Sequence, residues 1–157
     1  MPYQSKASAI FKAGLLAGTM DILAAFIKYS LEGKKDVTVI LRYIATGVLG
    51  KEAMKGGPGI ALFGLALHYF IAFVFTILLF LLYEKMRLTR YHPLLIGFMY
   101  GIFTWLAMNL VILPLSHVPG GRGPINWEQA VIGSLILIAC IGFPVSLLAR
   151  KYYLYKK

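Results

Sequence analysis

The chain has 157 residues, 59% of them hydrophobic and 14% charged, with a net charge of +10 and a mean hydropathy of +0.75. That balance excludes an ordinary soluble domain, whose single core has no room for so much apolar side chain. The basic excess does not point to nucleic acid either. The lysines and arginines gather in short groups at the ends of apolar runs, as residues flanking membrane spans do, rather than in one groove-lining stripe.

The first apolar segment, residues 8–31, is long enough to span a bilayer and carries one carboxyl, Asp21, near its centre. An ionisable group at that depth costs at least about 2.5–3.5 kcal/mol, so Asp21 is expected to face protein or water rather than lipid. Asp21 interrupts the apolar run and no small-x-small cleavage site follows it, so the segment reads as a retained helix rather than a signal peptide. Gly14, Gly18, Asp21, Ala25 and Lys28 follow a 4-3-4-3 spacing and stack in one stripe. The small residues there admit a close helix neighbour. Asp21 and Lys28 stand about 10 Å apart along the axis, too far for a direct pair unless the lysine bends back. Asp21 is then either a proton- or cation-handling carboxyl or a structural hydrogen bonder locking the helix to its neighbours.

Residues 34–58 form neither a span nor a plain loop. Val37, Ile40, Leu41, Ile44, Ala45, Val48 and Leu49 recur at three- and four-residue spacing, predicting an amphipathic helix over about 37–50. Its apolar run is too short to cross, so it lies in the interface or dips partway in. Gly47 and Gly50 fall within it, and Lys55-Gly56-Gly57-Pro58-Gly59 is a break before the next span. Glu52, between Lys51 and Lys55, is expected to pair locally.

The second span, 59–83, sets Ala61, Gly64, His68, Ala72 and Thr76 in one sector of roughly a third of the helix circumference. Asp21 and His68 could meet across a close helix pair, the carboxylate then holding the imidazole tautomer. The third span, 93–115, opens at His92-Pro93 and carries Gly97 and Gly101 on one face. Asn109 lies about 80° round from that face, at 100° per residue, and is expected to hydrogen-bond another helix, with Pro114 ending the segment. In the connection that follows, Pro119-Gly120-Gly121-Arg122-Gly123-Pro124 matches no phosphate-binding fingerprint and reads as a tight exposed turn. Asn126 and Gln129 resemble a capping box for the fourth span, 128–149, with Trp127 as an interfacial anchor. Pro144 is expected to kink that span near Cys140, a lone packing thiol with no disulfide or metal role. Arg150, Lys151 and the tail through Lys156 and Lys157 close the chain as an aromatic-basic anchor.

The expected fold is an all-α membrane bundle, one transmembrane domain over 1–157. It has four spanning helices and one amphipathic interfacial or re-entrant helix between the first and second. The heavier basic count on the side of the termini places both of them in the cytoplasm. No nucleophile with its base and no carboxylate pair is present. His92 and His117 sit at segment ends, so neither a catalytic residue nor a metal site is assigned, and no cofactor is named. The expected partners are membrane lipids and either further copies of the chain or the other subunits of a membrane complex, not nucleic acid.

Four stretches carry a resemblance: Ala17-Gly18-Thr19-Met20-Asp21, Ile44-Ala45-Thr46-Gly47-Val48-Leu49-Gly50, Gly64-Leu65-Ala66-Leu67-His68, and Met108-Asn109 through Leu113-Pro114-Leu115-Ser116. Over the first three quarters of its length the chain resembles the YagU-like family of small bacterial inner-membrane proteins; from Arg122 onward the likeness is weaker. The resemblance implies a small helical bundle in that membrane and points at Asp21, Gly47, Gly50, His68 and Asn109, without supplying a reaction. Two functions of different class follow. One is an oligomeric transport or channel component using Asp21, His68, Asn109 and Lys28, with the region from Gly47 to Gly59 as a flexible gate. The other is an accessory subunit in which the small-residue faces at Gly14, Gly18, Gly64, Gly97 and Gly101 are docking surfaces and Asp21 is a hydrogen-bond clip; the kink at Pro144 serves gating or only shape. A membrane-embedded enzyme acting on lipid or quinone has only Asp21, His68 and Asn109 in its favour.

Overall fold

The computed structural model describes residues 5–121 and 123–155. The readings made of Arg122, Lys156 and Lys157 lie outside them. Four long apolar helices run the length of the molecule: α1 (Lys6–Leu31), α3 (Pro58–Lys85), α4 (Pro93–Leu115) and α5 (Trp127–Tyr155). Between the first two lies the shorter α2 (Thr38–Leu49). This is the all-α membrane bundle that the apolar periodicity called for, with one interfacial helix. The third span has its expected bounds; the first starts two residues early, and α3 and α5 overrun at both ends, where flanking polar residues continue the helix.

Local chemistry sets the starts. The Ser5 hydroxyl accepts the Ser8 N–H at 3.1 Å and begins α1. Pro58 and Pro93 open α3 and α4, where a missing N–H costs nothing. Asn126 accepts the Gln129 N–H at 3.2 Å and begins α5. Only half of the expected capping box forms, because the Gln129 side chain turns away to Lys28.

In the packing, α1 lies against α3 and α5, α4 against α5, and α2 against α3. The N-terminus of α1, the end of α3 and the end of α5 share one end of the bundle. There Lys6 pairs with Glu84, and the Tyr153 hydroxyl donates to the Phe80 carbonyl at 2.8 Å. Glycines let the backbones approach. Phe73 lies over Gly14 and Tyr69 over Gly18, so the small-residue stripe of α1 receives aromatic rings of α3. Gly97 and Gly101 sit against the backbone of Gly142 and Ile138 in α5. At Gly64 a Cβ would collide with the Leu41 carbonyl of α2.

Both intrahelical prolines are absorbed in the same way. A π turn, Met108–Ile112, precedes Pro114, and another, Ile138–Gly142, precedes Pro144. A proline ring strikes the carbonyl four residues earlier, and the wider turn moves that carbonyl aside. α4 ends at Leu115, one residue past Pro114. At Pro144 the helix distortion takes the form of a π turn that includes Cys140, where a kink was expected.

Between spans, α2 is tethered at both ends. Asp36 accepts from the Thr38 amide at 3.0 Å and from Arg42 at 2.7 Å. The Thr38 hydrogen bonds, aided by Arg42, hold its carboxyl below the usual aspartate range. At the far end the His117 N–H donates to the Gly47 carbonyl at 3.1 Å, and Gly50, at φ 76°, turns the chain out of the helix. Glu52 pairs with Lys55 at 3.2 Å, as its position suggested.

The α2–α3 contact makes a direct test. Gly64→Ala is expected to lower stability by about 1–3 kcal/mol through overpacking against α2. Gly59→Ala, which meets open space, should leave it unchanged or slightly raised. Denaturant titrations of the two variants in mixed micelles, with equal losses in both, would show that α2 does not rest on Gly64.

Candidate functional site

Asp21 and His68 lie at the same depth. Asp21 is ten residues from the Leu31 end of α1 and His68 ten residues from the Pro58 end of the antiparallel α3. At 1.5 Å per residue that is about 15 Å, half of a typical hydrocarbon core about 30 Å thick. Both side chains line one cavity of about 90 Å³ whose other walls include Ile44 of α2, Thr104 and Met108 of α4 and Ile141 of α5. Every helix of the fold thus contributes to this space. Both π turns border it, through Met108 and Ile141. Such turns are frequent at functional sites.

The hydrogen bonds within it differ from the expected ones. His68 Nε2 lies 2.8 Å from the Gly18 carbonyl oxygen. A carbonyl only accepts, so Nε2 carries the proton, and the α1 backbone rather than Asp21 sets the tautomer. Asp21 forms no hydrogen bond with any described residue, so it is not the helix-locking clip that its position allowed. That work falls to its neighbours in the stripe: Gly18 through its carbonyl, and Thr19, whose hydroxyl shares a hydrogen bond of 2.8 Å with the Tyr69 hydroxyl. Lys28 does not bend back to Asp21 either. It hydrogen-bonds Gln129 of α5 and stands 3.9 Å from Glu32.

Asn109 stands apart. Its side-chain amide donates to the Trp105 carbonyl of its own helix at 2.9 Å, not to another helix as its burial suggested. It borders a different, larger cavity of about 180 Å³ at the end of the bundle away from the termini. The polar trio of Asp21, His68 and Asn109 is therefore not one site. Among the described residues no three His, Cys, Asp or Glu side chains are grouped as a metal ion would require.

Sequence reasoning passed over several polar groups that prove to be interhelical links. Tyr100 of α4 donates to the Phe75 carbonyl of α3 at 2.6 Å. The Tyr83 hydroxyl lies 2.6 Å from Ser146, and Ser146 donates to the Pro93 carbonyl at 2.7 Å. Ser146 has one proton, spent on that carbonyl, so Tyr83 is the donor to Ser146. The available signal was a tyrosine or serine deep inside an apolar run, since a buried hydroxyl must find a partner. Thr104 borders the Asp21 cavity but donates back to the Tyr100 carbonyl at 2.9 Å.

Compared with protein-family models, curated proteins and solved structures, the chain matches none.

The two residues of the central cavity differ in what they hold together. His68→Leu removes an interhelical hydrogen bond and is expected to cost about 0.6–1.7 kcal/mol of stability. Asp21→Asn removes no hydrogen bond and should leave stability unchanged or raised, since it relieves a desolvated carboxyl. Unfolding of both variants in mixed micelles checks this, and a large loss for Asp21→Asn would assign the carboxyl a structural partner.

Proposed function

We propose that this small all-helical membrane protein is an accessory or structural subunit of a larger membrane complex, without chemistry of its own. One observation carries the reading: seven polar side chains inside its spans join its own helices to one another. His68, Thr19, Tyr69, Tyr83, Tyr100, Ser146 and Tyr153 each bond another helix. The outward surface is a continuous supply of large apolar side chains, including Phe11, Ile27, Leu62, Phe70, Met99 and Leu110. Such a surface suits lipid and partner helices alike. The resemblance to the YagU-like family supports a bacterial inner membrane. The basic residues Lys6, Lys12, Lys85, Arg87, Arg90, Arg150 and Lys151 at the end bearing the termini support a cytoplasmic location for that end.

The experiment is native mass spectrometry of the protein extracted from its own membrane in mild detergent. A foreign subunit in fixed ratio is the expected result, and a bare monomer or homo-oligomer would overturn the proposal.

A second reading, an oligomeric transport component, has its own observation: Asp21 is the carboxyl of the central cavity, and no described residue hydrogen-bonds it. On that reading Asp21→Asn abolishes flux or its proton dependence in reconstituted vesicles while the fold persists. Unchanged flux would exclude it.

A further inference from the structure

The larger cavity lies where the ends of α2 and α4 meet the start of α5 and the 116–126 connection. Tyr43, Trp105, Asn109, Asn126 and Gln129 line it, with the backbone of Gly120 and Gly121. The wall requires glycine at both: Gly120 has φ 80°, and a Cβ on Gly121 would strike the Leu113 carbonyl. Tyr43 is held over the connection by its hydroxyl, which donates to the Pro119 carbonyl at 3.3 Å.

The three amides are half used. Asn109 Nδ2 is spent on Trp105, Asn126 Oδ1 on the Gln129 amide and Gln129 Oε1 on Lys28. Among the described residues, nothing bonds the other end of each. One acceptor, Asn109 Oδ1, and two NH₂ donors, Asn126 Nδ2 and Gln129 Nε2, therefore border the same space. No described lining residue carries a formal charge. The nearby Lys28 is occupied by Gln129 and faced by the Glu32 carboxylate.

We infer that this cavity binds an uncharged, hydroxyl-rich group the size of one sugar ring. Each hydroxyl both gives and takes a hydrogen bond, which suits a wall offering donors and an acceptor together. The rings of Trp105 and Tyr43 supply flat apolar faces for the C–H side of such a ring. Among the described lining residues a phosphate or carboxylate finds no unmatched cation. At about 180 Å³ the space is smaller than pockets for drug-sized ligands, which run about 300–1,000 Å³. The site stands at the ends of the spans, the level of lipid headgroups, so the sugar is carried by a glycolipid or arrives free. The inference is independent of the proposed function, because an accessory subunit and a transporter could each carry such a site.

The test uses the full chain in lauryldimethylamine oxide, a detergent without sugar. Monohexosyl diacylglycerol and phosphatidylglycerol are offered in equal amounts and bound lipid is counted by native mass spectrometry. In parallel, methyl glucoside is titrated against the emission of Trp105 in a Trp127→Phe background. At least a tenfold preference for one hexosyl lipid per chain identifies a glycolipid headgroup. A saturable emission change without that preference identifies a free sugar. Either response should fall at least tenfold in Gln129→Leu and Asn109→Leu, with folding of each variant confirmed by its unfolding temperature; Gln129 is exposed, so its variant serves if the Asn109 one fails to fold. Absence of both responses, or full binding by a folded Gln129→Leu, overturns the inference.

Discussion

Three of the four spanning helices meet at one hydroxyl. Ser146 of α5 accepts a hydrogen bond from the Tyr83 hydroxyl of α3 and donates its own to the Pro93 carbonyl that opens α4. All three groups are buried. Inside a bilayer, apolar side chains gain little by leaving lipid for one another, so helix association rests on close packing and interhelical hydrogen bonds. The relay provides both. A carbonyl in the first turn of α4 already has a helical acceptor role to play, yet its second lone pair reaches across the interface. Val145 and Ala149, on the same side of α5, are fully buried beside it. The end of the bundle that bears the termini is thereby fixed, and Tyr153 and Lys6 add their bonds around it.

At the other end the packing follows a different rule. There α2 is too short to span and instead lies against α3 at Gly64, where the two backbones touch. Ala45 and Thr46 of α2 are fully buried as a result. The Thr46 hydroxyl has no lipid-facing alternative and donates to the Tyr43 carbonyl at 2.6 Å. The prolines of α4 and α5 act at the same level of reasoning. A proline in a lipid-exposed helix frees a carbonyl that water cannot reach, and local widening of the helix is one of the few available remedies.

The spans and the interfacial helix were legible because the bilayer imposes length and hydropathy on them directly, and the 3.6-residue period of Val37 to Leu49 is a local property. The contact glycines were legible too, at Gly14, Gly18, Gly64, Gly97 and Gly101, since a small residue on a polar-marked face has few other uses in a membrane. What could not be read was which group answers which. His68 and Asp21 are correctly placed at one depth, but the partner of His68 is a backbone carbonyl, and carbonyls leave no mark in a sequence. The same holds for Tyr100 with Phe75 and for Ser146 with Pro93. Asn109 satisfies itself within one turn of its own helix, an option that helical spacing allows at every such position and therefore does not signal.

The two functional readings turn on α2. Ile44 is part of the wall of the Asp21 cavity, so a path to the carboxyl that passed between α2 and α3 would require α2 to move. Its tethers are the Asp36–Arg42 pair, the Arg42 bond to the Gly56 carbonyl at 3.3 Å, and the bonds of Gly47 and Tyr43 to His117 and Pro119 after α4. Exposed ion pairs of this kind contribute little, because water and salt screen them. The backbone contact at Gly64 is the larger restraint, because it is a surface of shape rather than a single bond. A transporter would have to break that contact in every cycle and remake it, whereas a structural subunit keeps it closed permanently. The chain at both flanks of α2 is built for reorientation, with Gly33 at φ 79° and Gly50 at φ 76°, but the helix between them is seated on α3 by its buried face. With α2 seated, Asp21 borders the central cavity with no hydrogen bond to any described residue, a carboxyl that packing alone does not account for.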